Sequence, residues 1–260
     1  MTNKRSIHCL VAHALLVSLV TTLSAQDFYL PLSTKSEVAK TAYYEAMQAA
    51  SNARIPAYQE QLDKALQADS NFFMAYAHRC MALASFKDYE ALGKLTTKAL
   101  SLKTERLTKA ELILRKLLVQ WQGDPKSSPA KVMTELVTAY PKNPQAYELA
   151  MILAAQISND KPAALAYAQK LVALRPDYGS PYNTIGYIYL GDEEMDKSKA
   201  AFENYIRLSP KEANAHDSMG DYYMAVKDYA KAAEHYDKAV AIGMDASKER
   251  AAKAREMMKQ

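Results

Sequence analysis

Three prolines set the frame of this chain: Pro141, Pro176 and Pro210 stand 35 and 34 residues apart. The segments between them share one apolar pattern. A period near 34 describes a unit of two antiparallel helices, too small to bury its own apolar face and stable only when stacked on its like. The fold class that follows is all-α, an α-solenoid of helix pairs. Composition agrees, because 7 Gly in 260 residues are few for a turn-dense β fold.

The spacing inside the period explains the packing. Tyr182, Ile185 and Tyr189 fall at steps of three and four, which puts them on one face of the first helix of a pair. Phe202, Tyr205 and Ile206 form the matching stripe on the second helix. Gly186 and Gly220 sit inside helices at a cost of about 1 kcal/mol each relative to Ala. Close approach of the neighbouring helix must offset that cost. The proline then ends the second helix and sets the turn into the next pair.

The run Pro181-Tyr182-Asn183-Thr184-Ile185-Gly186-Tyr187-Ile188-Tyr189, with Phe202, Tyr205, Ile206 and Pro210 after it, resembles the tetratricopeptide repeat (TPR). The next repeat follows with His216, Met219-Gly220, Tyr223, Ala232, Tyr236 and Ala239-Val240, and Met244 stands at the proline site. Ser198 and Tyr205 depart from the family's small residues, which concerns packing alone. Upstream the match thins: Met151 and Cys80 occupy the glycine site, and Thr104 to Gln122 is helical without a repeat signature. The fourth pair, 143–176, carries one extra residue, expected in a loop.

Counting back from the strong repeats gives about six antiparallel helix pairs, starting near 40, 71, 106, 143, 178 and 212, and the resemblance implies that they wind into a right-handed superhelix. The expected organisation is a signal peptide over 1–25, a flexible lead-in over 26–39, repeats over 40–244 and a C-terminal capping helix over 245–260. The lead-in reading rests on Pro31, Ser33, Thr34 and Ser36. The cap, Ser247 to Lys259, places Ala251, Ala254 and Met258 on one side and charged residues on the others. An open stack needs such a polar-backed end.

Residues 1–26 read as a charged start (Lys4, Arg5), an apolar run from Cys9 to Leu23 and a small or polar end, the three parts of a secretory leader. The apolar run is shorter than a stable membrane span. Leu23-Ser24-Ala25-Gln26 resembles export signals of Gram-negative Bacteroidota, which implies cleavage near Ala25 and a periplasmic or secreted product. A membrane enters only through an uncleaved leader. Cys9 lacks a lipoprotein context, and Cys80 is then left without a partner, as a small core residue.

The net charge of +4 includes the two leader cations, so nucleic acid is not an expected partner. No metal-binding histidine pair, phosphate loop, nucleotide fingerprint or nucleophile elbow occurs in the sequence. No cofactor and no catalytic residue is assigned, and the chain reads as a non-enzyme. His216 reads as a packing residue and His235 as exposed. The acidic run Asp192 to Asp196 reads as a helix N-terminus rather than a cation site, and Trp121 as core.

In TPR proteins the first helix of each pair lines the concave wall and meets a protein or peptide partner. Carried onto the two well-matched repeats, the wall comprises Asn183, Thr184 and Tyr187, then Asp217, Ser218 and Asp221. It continues upstream as Glu148, Leu149 and Ile152, as Ala77, His78 and Met81, and as Tyr43, Tyr44 and Met47. That wall is apolar to aromatic early and polar to acidic late. Lacking the Lys and Arg of a carboxylate clamp, it is not suited to a C-terminal tail. The expected function is an exported scaffold gripping a partner along this surface, and the alternative is an envelope-complex component docked through its ends or convex face.

Overall fold

The computed structural model describes residues 28–259. The leader expected over 1–25 lies outside the described residues. Thirteen α-helices follow in six hairpins and a cap: α1 (Glu37–Ser51) with α2 (Ile55–Ala68), α3 (Phe73–Ser85) with α4 (Tyr89–Leu100), α5 (Lys109–Gly123) with α6 (Ala130–Ala139), α7 (Pro144–Leu153) with α8 (Lys161–Leu174), α9 (Ser180–Gly191) with α10 (Met195–Leu208), α11 (Ala213–Ala225) with α12 (Tyr229–Ile242), and α13 (Ser247–Met257). No strand occurs among the described residues.

One local device builds five of the six hairpins. Ala53, Lys87, Asn159, Glu193 and Lys227 each adopt a left-handed backbone, with φ between 50° and 61°, at the turn from first to second helix. Such a residue reverses the chain within three or four positions, at a conformational cost that the packed hairpin must offset. In three turns an aspartate follows directly: Asp88, Asp160 and Asp228 each accept a hydrogen bond from a backbone N–H three residues on, capping the second helix. The acidic run at the fifth hairpin behaves differently. Glu194 holds the N-cap position without a side-chain bond to the backbone, pairing with Lys197 instead, while Asp192 pairs with Lys161 at 2.5 Å. The hairpin of α5 and α6 turns through Asp124 to Pro129, and Trp121 is buried there with its indole N–H donating to the Ser127 carbonyl.

Gly186 and Gly220, at the glycine site of their repeats, admit rings rather than backbone. A Cβ on Gly186 would lie 2.5 Å from Cε1 of Phe202, and one on Gly220 2.5 Å from Cε1 of Tyr236. Both rings come from the second helix of the same pair and are fully buried. Ser198 fits at its small-residue site because its hydroxyl donates to the Gly186 carbonyl at 3.0 Å. Cys80, at a glycine site, is buried against Thr96. The extra residue of the fourth pair is taken up by a π turn, Ala154–Ser158, at the end of α7, and not by a loop.

The lead-in is not loose. Phe28, Leu30 and Thr34 are buried, and the segment's main-chain polar groups find side-chain partners. Leu30 N–H donates to Gln145 Oε1 at 2.8 Å, Asn143 Nδ2 to the Tyr29 carbonyl at 3.1 Å and Thr108 Oγ1 to the Pro31 carbonyl at 2.9 Å. Ser33 donates to Glu111 and Thr34 to Asp69. The segment is thus a strap across the starts of α3, α5 and α7, and α1 begins at Glu37, behind a Ser36 cap. Its Pro and Ser content reads as flexible because the partners lie up to 115 positions away.

At the other end α13 buries Ala251 and Ala254 against α12, while Met258 is 56% exposed rather than on the packed side. Gly186→Ala is expected to lower stability by about 1–3 kcal/mol, although Ala favours the helix by about 1 kcal/mol. Urea unfolding measures the change, and an unaltered midpoint would contradict the ring-on-glycine packing.

Candidate functional site: a cleft shared by three hairpins

The expected wall divides into two halves with opposite fates. In the C-terminal half the polar residues meet one another and α13. Asp217 is buried and accepts from Ser247 Oγ at 2.6 Å and from Arg250 at 2.7 Å. Asp221 accepts from Tyr187 and Tyr236 hydroxyls, each at 2.7 Å, and from Arg250 at 3.2 Å. Ser218, fully buried, donates to Asn183 Oδ1 at 2.8 Å. Thr184 is half-buried beside them, and Tyr187 keeps 38% of its surface. The capping helix therefore occupies the acidic wall that was expected to face a ligand, and its Arg250 supplies the countercharge to Asp217 and Asp221.

In the N-terminal half the wall residues converge. Met47 of α1, His78 and Met81 of α3, and Glu148, Leu149 and Ile152 of α7 line one cleft of about 490 Å³, closed on its sides by Tyr58, Ala82 and Leu153. Phe86, 60% exposed, and Ile55, 37% exposed, form an apolar rim. The π turn contributes Gln156 to the lining. Residues of the first, second and fourth hairpins thus share one concavity, of the size and apolar character usual for a binding site.

Tyr43 lies beneath this wall rather than on it. It is fully buried, accepts from Gln145 Nε2 at 2.6 Å and stands 3.0 Å from His78 Nε2. Tyr44 stacks on Tyr29 of the strap, with ring centroids 4.4 Å apart. Tyr44 lines a second cavity, of about 410 Å³. Phe28, Tyr29, Tyr44, Arg175 and Tyr178 line it, and it shares Met47, Ser51 and Glu148 with the first. Glu148 stands at the waist between the two.

Burial pushes the Glu148 carboxyl up to about 7, partly opposed by the Tyr178 hydroxyl that donates to it. Burial alone pulls the His78 imidazole down to about 3. The Cys80 thiol, outside the cleft, is pushed up to about 11 by burial. His216 and His235 stand with their Nδ1 atoms 3.3 Å apart. His235 is half-buried rather than exposed, and burial lowers both, His235 to about 4. Among the described residues no group of three His, Cys, Asp or Glu is placed to hold a metal ion, and no helix is long and apolar enough to cross a membrane.

Tyr58, Phe86, Gln145, Arg175 and Tyr178 were not singled out from the sequence. Phe86 precedes a left-handed turn residue and Tyr178 lies in a loop, so neither falls on the first-helix face that the repeat register selects. Gln145 and Tyr178 reach the site where hairpin four meets hairpin one.

The pH dependence of stability is a check on the cleft's burial. The fold holds Glu148 protonated where the unfolded chain ionises it, so this group costs stability as pH rises from about 4.5 to 7. It holds His78 neutral where the unfolded chain takes a proton, so that group costs stability as pH falls below about 6.5. The two slopes oppose each other between about pH 4.5 and 6.5. In Glu148→Gln only the histidine slope is left, and the variant's stability advantage over wild type is expected to grow by on the order of 3 kcal/mol from pH 4.5 to pH 8. Urea unfolding of both proteins measures this, and parallel pH curves would mean that Glu148 is solvated.

No protein-family model matches the chain, and no curated protein sequence matches it. Solved structures do. A thermophilic TPR protein of Thermus thermophilus, TTC0263, aligns with a TM-score of 0.52 at 18% identity over 70% of this chain and 98% of its own. Yeast Tom70 aligns with a TM-score of 0.51 at 17% identity over 85% of this chain, which spans 46% of Tom70. Helix order, hairpin packing and these likenesses agree that the chain has the fold of tetratricopeptide repeat proteins, an all-α solenoid.

Proposed function

We propose that this protein is an exported, non-catalytic scaffold that receives an apolar segment of a partner polypeptide in the cleft between α1, α3 and α7. The observation that carries the reading is the convergence of Met47, Met81, Leu149 and Ile152 behind an exposed Phe86 rim. Methionine side chains adapt to irregular apolar partners, and a large ring left in water at the mouth of a concavity is a usual mark of an interaction surface. Export is supported by the three-part leader, which stands apart from the structural argument. A scaffold role agrees with the chemistry of the cleft, where the imidazole and the carboxyl are both held neutral by burial at mildly acid pH and each is hydrogen-bonded to a tyrosine hydroxyl that burial keeps protonated.

This reading narrows the expected surface. The C-terminal wall is already engaged by Arg250 and Ser247, so the partner is received by the first four hairpins rather than along the whole groove. A photo-crosslinking side chain placed at Phe86 is expected to capture a partner in living cells, and one placed at Met258 is not. Ala82→Trp, which fills the cleft from its side, is expected to reduce capture from Phe86 at least tenfold. Capture from Met258 alone would contradict the cleft and favour docking through the solenoid's end.

A further inference from the structure

Two glutamates are buried in the N-terminal half, and their surroundings differ in kind. Glu111 is fully buried, and its carboxyl accepts from the Ser33 hydroxyl and N–H and from the Thr108 N–H. Those bonds complete a capping box and tie down the strap. Glu148, 9% exposed, receives one hydrogen bond, from the neutral Tyr178 hydroxyl. An ionised carboxylate has about four acceptor positions, so most of this group's capacity is unused.

No cation of the described residues pairs with it. Arg175, on the far side of the second cavity, is forked onto Asp177 at 2.8 and 2.9 Å and lies over the Phe28 ring. The other titratable groups lining the two cavities are Tyr29 and Tyr58, the neutral His78 of α3, and Tyr44 and Glu45 of α1. None brings a positive charge. Glu148 lines both cavities, together with Met47, and Ile152 lines the apolar cleft beside it. A buried carboxyl kept without a cation is costly to a fold, and an ammonium delivered there from outside would remove the cost.

We propose that Glu148 is a cation subsite and that the partner segment presents a lysine flanked by apolar residues. The lysine's aliphatic stem lies against Met47, Met81 and Ile152, and its ammonium meets the Glu148 carboxylate beside Tyr178. This rests on the reading of the cleft as a peptide site. Lysine suits the geometry because its charge is compact and sits at the end of an apolar stem. Binding draws Glu148 into its ionised form, so a proton is released on binding below about pH 7. His78 stays neutral over that range.

A random dodecapeptide library displayed on phage, selected against the full chain, Glu148→Gln and Ala82→Trp, tests this. Wild type is expected to enrich lysine between apolar residues, Glu148→Gln to keep the apolar preference without lysine, and Ala82→Trp to enrich neither. A synthetic peptide from the wild-type selection should lose at least tenfold in affinity when its lysine becomes glutamine, and that loss should vanish in Glu148→Gln. Its wild-type affinity should also weaken from pH 8 to pH 6, with Glu148→Gln unaffected. Melting curves confirm that each variant is folded. Ala82-sensitive binders without lysine, or a lysine preference that survives Glu148→Gln, would overturn the subsite and leave the cleft standing. Absence of any Ala82-sensitive binder would overturn the peptide cleft and the subsite together.

Discussion

A hydrogen bond of 2.6 Å from Gln145 to the Tyr43 hydroxyl joins residues 102 positions apart, in hairpins one and four. It continues to His78 of hairpin two through the same hydroxyl, and to the strap through the Leu30 N–H, which the other end of the Gln145 amide accepts. All of these groups are buried. A buried polar relay is stabilising only when each member is satisfied, so it fixes how hairpins one, two and four lie against one another. The cleft is the space left above it, walled by the same three helices.

The strap makes this arrangement possible. A plain stack of hairpins has contacts between neighbours only, and nothing in it would hold the first helix against the seventh. Phe28 to Thr34 supply the missing link, since their backbone groups are met by side chains from the starts of hairpins three and four, and the Thr34 hydroxyl donates to Asp69 at the end of hairpin one. At the opposite end the linkage is ionic: Arg250 and Ser247 of the last helix complete the wall carboxylates Asp217 and Asp221. One end of the groove is therefore closed by its own cap, and the other holds a cavity with an unmatched carboxyl.

Much of the fold was legible because it is local. The proline period pointed to stacked hairpins, and Gly186 and Gly220 marked close approach because they recur at one site of the repeat, whereas Gly93 inside α4 meets no neighbour. The wall residues Met47, His78, Met81, Glu148 and Ile152 followed from the first-helix register and do meet around one cleft. What could not be read is non-local. The strap's partners are scattered over more than a hundred positions, so Pro31, Ser33 and Thr34 looked like loop composition. Asp217 and Asp221 looked open because the cation that meets them belongs to a helix with no repeat register of its own. Tyr43 has the same wall periodicity as Met47, yet it is buried because Gln145 reaches it from across the superhelix. The left-handed turn with a following aspartate does recur in the sequence as Lys87-Asp88, Asn159-Asp160 and Lys227-Asp228, a signal that apolar periodicity does not register.

The central claim is that hairpins one and four meet directly and so shape the cleft. A double-mutant cycle of Tyr43→Phe and Gln145→Leu, with stability measured by urea unfolding, tests it at the bond concerned. The account predicts a coupling of about 1 kcal/mol between the two substitutions. Effects that add to within about 0.3 kcal/mol would mean that the two side chains do not meet, and the shared cleft would go with them.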